Sequence, residues 1–137
     1  MNMIEQLNIS DFELFTDQTN SSISTDKSAK YFVSRMILSD FHAQPQGFLN
    51  GGATLAFCEI SAGMASNQLI VPHEFAVGQT ITANHLHPKK AQGFVIAKGQ
   101  LLRKGRHTHV WEIKVTDEKE QLIAQVTVVN AIVPNTV

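Results

Sequence analysis

The second half of the chain consists of short segments rich in strand-forming residues, separated by turn signals. Trp111, Ile113 and Val115 alternate with polar or charged residues, which is the period of a half-buried strand. Polar, glycine-containing or charged turns at 104–106 and 117–120 join neighbouring segments, so we expect antiparallel pairing. The predicted strands are residues 75–87, 94–103, 108–116 and 122–133, and in the last of these Leu122, Ala124, Val126 and Val128 are expected to share one face.

The first forty residues are less regular. Residues 31–38 combine aromatic and β-branched side chains and predict a further strand. Residues 3–16 mix apolar and acidic positions without a clear period, which favours a short helix or irregular structure. Residues 17–30 are polar and rich in turn formers, which predicts either a loop or a loop that contains a short strand. The chain therefore has material for a sheet of about five to six strands.

Residues 50–69 have a composition unlike the rest of the chain. Their length and lack of proline predict a helix of about five turns. Small residues occur on every side and Glu59 is the only charge, so the helix is expected to be enclosed. It is also the only element that could cover one face of the sheet. The predicted fold class is α+β, with an antiparallel sheet curled around a long central helix.

The overall composition limits the kinds of protein this can be. The chain has 137 residues, of which 43% are hydrophobic, and we expect one domain spanning residues 1–137. A net charge of −1 provides no general attraction for nucleic acid or an anionic membrane. We find no signal peptide and no apolar run of about 18 residues. A single cysteine, Cys58, is typical of a reducing compartment, so we expect a cytoplasmic protein without membrane attachment.

Glu59 is the first candidate for chemistry. A lone carboxylate in an otherwise apolar helix is costly to bury unless it is paired. One interpretation is a structural ion pair with Arg103 or Arg106, or a position that reaches solvent. The other is a general base or nucleophile in a dry cleft.

The segment Asn50-Gly51-Gly52 is the second candidate. Asparagine is a good N-cap, and two glycines leave the first N–H groups of the helix accessible to a carbonyl that develops negative charge. An ordinary capped helix packed against a strand would also account for these residues. Asn50 and Glu59 are separated by about 13 Å along the helix, so one reacting group could contact both only if two subunits contributed.

A longer set of motifs resembles the hotdog-fold acyl-CoA thioesterases, and among them the PaaI-like branch with its enterobactin-pathway proofreading and menaquinone-pathway aryl-CoA members. The resemblance runs from about residue 35 to the end of the chain. It is specific because of the order and spacing of the motifs. These are Gln44-Pro45-x-Gly47-x-x-Asn50-Gly51-Gly52-Ala53 with Glu59, then Val77-Gly78, Thr82-Ala83-Asn84-His85 and Gly105-Arg106-His107 with Val110-Trp111.

The resemblance implies a hydrolase in which the acid at Glu59 attacks the thioester or activates water. The backbone N–H at Gly51 would polarise the carbonyl from the neighbouring subunit, and Gln44 would help to hold the reacting group. Two positions depart from the family pattern. Asn50 stands where His is usual, and Gly63 stands where relatives often have Ser. An amide cannot shuttle protons near neutral pH, so a non-catalytic acyl-CoA-binding hotdog protein is the alternative.

The resemblance also implies a site for coenzyme A, which enters as part of the substrate, so no separate cofactor is expected. Candidate CoA-binding residues are Gly78, His85, Lys89, Lys90 and Arg106. Any one of these lysines could instead be a solvated surface charge. The assembly implied is a homodimer with shared active sites, forming a dimer of dimers.

Two pairs of histidines need a separate explanation. His85 with His87, and His107 with His109, are two residues apart, which on a strand would direct each pair to one face. Because no cysteine cluster accompanies them and the resembling family is metal-independent, we expect no metal site. A hotdog dehydratase is disfavoured because no His occupies the helix start.

Overall fold

The computed structural model describes residues 1–17 and 28–136, and within them six strands form one antiparallel sheet. The elements are α1 (Met3–Gln6), β1 (Ile9–Phe15), β2 (Tyr31–Ile37), a 3-10 turn (Asp40–His42), α2 (Gly51–Gln68), β3 (Glu74–His85), β4 (Phe94–Lys104), β5 (Thr108–Thr116) and β6 (Leu122–Pro134). The strand order is β1-β2-β4-β5-β6-β3. The α+β class and the predicted strands of the second half are confirmed.

The sheet curls around α2. Six strands spaced about 4.8 Å apart would make a flat sheet roughly 24 Å wide, whereas a helix with its side chains is about 10–12 Å across. Nevertheless α2 contacts all six strands, most extensively β3 and β6. Only a curved sheet can bring both of its edges to one helix.

The core lies between α2 and the inner face of the sheet. Trp111, Ile113 and Val115 are all fully buried there, as their alternation predicts. The Trp111 ring packs edge-on against Phe32 with 5.2 Å between ring centroids. Leu122 is an exception to the predicted face, since it is 38% exposed. A register shift in the β5–β6 pairing lies beside it.

The N-terminal segment differs from the prediction because it contains a strand. Residues 9–15 pair with β2, but the pairing shifts register between Ser10 and Glu13. Asn8 and Asp11 both have positive φ angles, of 61° and 54°. These irregularities break the alternation of apolar and polar residues by which a strand is recognised. Of the loop predicted for residues 17–30, residues 18–27 lie outside the described part of the chain.

The predicted helix is confirmed as α2, but it is enclosed on one side only. Phe57, Cys58 and Ala62 are fully buried against the sheet, whereas Glu59 is exposed in a single chain. Burial raises the pKa of the Cys58 thiol to about 12, so this side chain serves packing and remains protonated. No helix in the described ranges is long and apolar enough to cross a membrane.

A buried hydroxyl group links the last turns of α2 to β5. Ser66 Oγ lies 2.8 Å from both Nε1 of Trp111 and Nδ1 of His109. Because the indole N–H can only donate, Ser66 accepts from Trp111 and its own O–H is free to donate to His109. His109 is then the neutral tautomer with its proton on Nε2. Burial, followed by the nearby charge of Lys104, lowers the pKa of His109, while Glu74 acts in the opposite direction.

Acidification should therefore destabilise the fold through His109. A histidine with a lowered pKa binds fewer protons in the folded state than in the unfolded state. Its contribution to the free energy of unfolding is therefore fully present above the unfolded pKa, near 6.5, and is lost as the pH falls below that value. The expected slope is at most about 1.4 kcal/mol per pH unit. Chemical denaturation from pH 7.5 to 5 measures it. His109→Gln should show a shallower slope, and an unchanged slope in this variant would contradict the assignment.

Candidate active site

The start of α2 presents one N–H group without an acceptor in the described part of the chain. Asn50 Oδ1 accepts from the Gly52 N–H at 2.8 Å. The N–H groups of Ala53 and Thr54 both donate to the Asn50 carbonyl, at 3.0 and 3.3 Å. This leaves the Gly51 N–H available to a ligand at the positive end of the helix dipole. Asn50 is the N-cap that the sequence predicts, and its amide Nδ2 remains as a further donor.

Gly51 is required by the close approach of β3. A Cβ atom built on this residue would lie 3.0 Å from Nε2 and 3.1 Å from Cε1 of His85. These distances are shorter than most real Cβ contacts, so the absence of a side chain lets the imidazole lie over the helix start. His85 and Gly51, predicted for different roles, are thus neighbours.

Gln44 lies in a tight turn that fixes its amide orientation. Its Oε1 accepts from the backbone N–H groups of Gln46 at 2.6 Å and Phe48 at 3.2 Å. The side-chain oxygen is therefore occupied within the turn. The amide Nε2 is left as the group of Gln44 that can donate to a ligand.

These residues line a first cavity of about 450 Å³. Gln44 and Gly51 form one part of its wall, and the end of β3 with the following segment forms another. The remaining lining residues that matter for chemistry are Thr54, His85, His87 and Lys89. Amide donors and the ammonium group of Lys89 make this cavity suitable for a carbonyl oxygen and for anions.

Glu59 lies in a second cavity, also of about 450 Å³, which like the first is lined by residues of α2 and β3. Its carboxylate lies directly over Gly78 of β3, where a built Cβ atom would be 2.9 Å from Cδ of Glu59. Met3, Ile60 and Gly63 form other parts of the wall. Gly78, predicted for coenzyme A, thus makes room for the candidate acid.

The predicted burial of Glu59 is not found within one chain. The residue is exposed, and no ion pair involves it in the described ranges. The proposed structural partners Arg103 and Arg106 therefore do not pair with it. Because Glu59 lies over β3, the edge strand of the sheet, its carboxylate is open to solvent in a single chain.

The two cavities divide the candidate residues into separate groups. Gly51 and Glu59 are eight residues apart on α2, or about 12 Å along the axis. The 105–107 turn that carries Arg106 lies beside Ile132 of β6, near the beginning of β3. Lys89 and Lys90 follow the opposite end of β3. A single chain therefore does not bring Arg106 together with these lysines.

Lys89 is already paired. Its Nζ lies 3.2 Å from Oε1 of Glu118 and donates to the Gln92 carbonyl at 2.7 Å. Hydrogen bonds from its own backbone N–H and from Lys89 lower the pKa of Glu118, which keeps this carboxylate ionised near neutral pH. Lys90 is exposed.

The histidine pairs behave differently from each other. His85 and His87 are both exposed and line the first cavity. His107 lies in the turn before β5 and is exposed, whereas His109 is buried in the core. The predicted strand spacing holds for neither pair, because His107 precedes β5 and His87 follows β3. His85 and His87 share the first cavity without sharing a strand. In the described part of the chain, no group of three or more His, Cys, Asp or Glu side chains could hold a metal ion.

Comparison with known proteins agrees with this architecture. Residues 46–124 match the family model of the thioesterase superfamily. The chain belongs to this superfamily. A crystal structure from Lactococcus lactis, provisionally described as a thioesterase, shares 61% sequence identity over 99% of this chain and 100% of its own, with a TM-score of 0.88. The resemblance to hotdog thioesterases is therefore confirmed.

Two further relatives are informative. A Staphylococcus aureus thioesterase structure is 32% identical over 96% of this chain and 98% of its own, with a TM-score of 0.81. The 1,4-dihydroxy-2-naphthoyl-CoA hydrolase of Listeria monocytogenes is 42% identical over 80 residues, which are 58% of this chain and 64% of that protein. The match to this curated relative thus covers less than two thirds of its length.

Some residues of this superfamily member were missed by the sequence analysis. Thr54 lines the first cavity and Met3 the second. Thr54 is one helical turn after Asn50, so its proximity to the helix start could have been inferred from spacing. Met3 carries no such signal, because only the folded chain brings α1 to the middle of α2.

Gly78→Ala should move the Glu59 carboxylate without unfolding the protein. The clash involves the far end of a flexible, exposed side chain, so the loss of unfolding free energy should stay below about 1 kcal/mol. A crystal structure and chemical denaturation of the variant test this. Gly63→Ala is the matched control, since its Cβ would meet nothing within 4 Å. An unmoved Glu59 in Gly78→Ala would contradict the contact.

Proposed function

We propose that the protein hydrolyses an acyl-CoA thioester with a small or aromatic acyl group, giving the free acid and coenzyme A. The observation that carries the proposal is the reciprocal placement of two groups on α2. An N–H without an acceptor at Gly51 opens onto one cavity, and the carboxylate of Glu59 opens onto the other. Thioester hydrolysis needs both an oxyanion donor and an acid.

The Gly51 N–H is suited to bind the thioester carbonyl oxygen. Its position at the helix N-terminus combines a hydrogen-bond donor with the positive end of the helix dipole. Gln44 Nε2 is a further donor from the lining of the same cavity, and Asn50 is the residue that caps the helix beside Gly51. Negative charge that develops on the oxygen during attack would be stabilised there.

Glu59 supplies the attacking group in one of two ways. As a general base it takes a proton from water, and the resulting hydroxide adds to the carbonyl carbon. As a nucleophile it forms a mixed anhydride, which water then hydrolyses. In both routes the carbon–sulfur bond breaks, the thiolate of coenzyme A leaves and takes up a proton, and the acyl group leaves as a carboxylic acid. Neither route calls for a metal or a separate cofactor.

A two-fold dimer would unite the two halves of the site. Strand β3 is at the edge of the sheet, is twelve residues long, and exposes Phe75 at 39% and Val77 at 40%. Long apolar edges of this kind need a partner. Antiparallel pairing of β3 with its copy would bring Glu59 of one chain towards Gly51 of the partner subunit. Association of two such dimers would give the tetramer that the family resemblance implies.

The same pairing would complete a site for coenzyme A. His85, Lys89 and Lys90 lie at one end of β3 or just beyond it, and the turn that carries Arg106 lies near the other end. Gly78 lies between them on the strand. An antiparallel pair brings Arg106 of one chain to the lysines of its partner. Of the two lysines, Lys90 has no ion pair in the described part of the chain, whereas Lys89 is paired with Glu118.

The relatives support the choice of residues. The Staphylococcus aureus thioesterase has been solved with a glutamine and, separately, with a glutamate replaced by alanine, and these two residues have the spacing of Gln44 and Glu59. The Listeria relative acts on an aromatic acyl-CoA, as its name states.

Glu59→Ala should abolish hydrolysis while leaving the fold intact. We expect kcat to fall by about 10²- to 10⁴-fold, which is the range for loss of a general base. The fold should be unaffected because the Glu59 side chain is exposed and forms no ion pair in the described part of the chain. Release of free thiol from short, medium, long and aromatic acyl-CoAs measures the rate. Glu112→Ala, on β5, is the matched control and should retain the activity. Wild-type rates in Glu59→Ala would contradict the mechanism.

A non-catalytic acyl-CoA-binding protein is the second candidate, favoured by Asn50 and Gly63. Asn50 uses its oxygen to cap α2 and cannot act as a proton shuttle. Gly63 has no side chain that could assist Glu59. Binding of acyl-CoA without turnover of any member of the panel would identify this function.

Mixed dimers test whether two chains share each site. Glu59→Ala is combined with Gly51→Val, whose side chain would displace His85 and fill the first cavity. Each variant alone should be inactive. After denaturation and joint refolding at equal amounts, about a quarter of wild-type activity should return, because half of the dimers are mixed and each mixed dimer has one intact site. No recovery, with mixed dimers shown by mass spectrometry, would place each site within one chain.

A further inference from the structure

Three residues form a row across the sheet beneath α2. Asn130 of β6 is the register partner of Gly78 on β3 and of His109 on β5. Residues paired in this way point to the same face of a sheet. All three point to α2, because Gly78 lies under Glu59 and His109 meets Ser66.

Asn130 donates hydrogen bonds to two residues of α2 that are about one helical turn apart. Its Nδ2 donates to the Ala62 carbonyl at 3.2 Å and to Ser66 Oγ at 3.0 Å. Ser66 thus accepts from Asn130 and Trp111 while its O–H is directed to His109. The whole cluster is shielded from solvent, since Asn130 and Ser66 are both 0% exposed.

The cluster buries a polar atom, at a cost in stability that an apolar residue at the same position would avoid. Asn130 Oδ1 is buried with no hydrogen-bond partner in the described part of the chain. A buried polar atom without a partner destabilises a fold, and an apolar residue of similar size would avoid this cost. The asparagine is therefore explained better by what its amide group holds than by core packing.

What the amide group holds is the position of α2 along the sheet. Near this cluster, α2 contacts the core through Ala62 and Ala65, whose side chains are single methyl groups. Such surfaces allow a helix to slide with little loss of contact, whereas hydrogen bonds are directional. Strand β3 also has a register shift between Gly78 and Thr80, immediately beside Asn130.

Glu59 depends on this placement because it has no anchor of its own. In the described ranges no hydrogen bond or ion pair involves its side chain, and it is three residues before Ala62 on the helix. Its position over Gly78 is therefore set by where α2 lies. A displacement of about 1 Å can cost about 100-fold in a catalysed rate.

We propose that Asn130, together with Ser66, is a positioning residue that fixes α2 so that the Glu59 carboxylate stands over Gly78 at the edge of the sheet. The inference rests on the proposed function, because its effect is read through hydrolysis by Glu59. Asn130 itself lies in the core and contacts no substrate.

Asn130→Ala tests the proposal in comparison with Val128→Ala. Val128 is two residues away on β6, is fully buried, and has no polar contact with the cluster. Both variants lose buried contacts, and rates are measured well below the melting temperature of each. We expect Asn130→Ala to lower kcat by about 10- to 100-fold with KM within about twofold. Val128→Ala should keep kcat within about twofold.

A double-mutant cycle separates positioning from general damage. If Asn130 acts through Glu59, Asn130→Ala should not lower the residual rate of Glu59→Ala any further. A merely structural role would lower the rate by the same factor in both backgrounds. Ser66→Ala, which removes one of the two acceptors of Asn130, is tested in the same cycle and decides the question if Asn130→Ala does not fold.

The outcomes distinguish this inference from the proposed function. If Glu59→Ala is inactive and Asn130→Ala has the kcat of Val128→Ala, the positioning role is overturned and hydrolysis by Glu59 stands. If Glu59→Ala retains wild-type turnover, the proposed role of Glu59 in hydrolysis is contradicted and the positioning role fails with it. If no acyl-CoA is hydrolysed even by the wild type, the proposed function itself fails. A selective loss of kcat that disappears in the Glu59→Ala background supports both.

Discussion

The close approach of α2 to β3 is the constraint on which the rest of the structure depends. Gly51 on the helix makes room for His85 on the strand, and Gly78 on the strand makes room for Glu59 on the helix. The two contacts are reciprocal because the helix and the strand run in opposite directions. A methyl group at either glycine would force a side chain of the candidate site to move. The geometry of the site therefore depends directly on how α2 packs against β3.

The helix also separates the two groups that the proposed chemistry needs. Along the helix axis, Glu59 is about 12 Å from the N–H of Gly51. Each group opens onto its own cavity, and both lie near the unpaired edge of β3. A second copy related by a two-fold axis provides the simplest way for one substrate to reach both, because the axis exchanges the two ends of the strand.

The inner face of the sheet has two kinds of contact with α2. Most of the face is apolar, and packing there stabilises the fold, but the small residues Ala62 and Ala65 in the second half of α2 fix its position only weakly. The cluster of Ser66, His109, Trp111 and Asn130 is different, since each of its hydrogen bonds has one favourable geometry. Because burying polar atoms costs free energy, the cluster is explained better by fixing where α2 lies on the sheet than by stabilising the fold.

The amino-acid sequence alone determined the class of fold, the strands of the second half and the limits of α2, because these follow from local periodicity and capping. The composition and capping of this helix also identified Asn50, Gly51 and Glu59 as candidates, and the family resemblance added Gln44. Local pattern failed for β1, where a register shift and two positive φ angles interrupt the alternation. Only the tertiary structure decided that Glu59 lies exposed over Gly78, that Lys89 is paired with Glu118, and that Asn130 meets α2. These contacts join residues far apart in the chain, so no periodic signal records them.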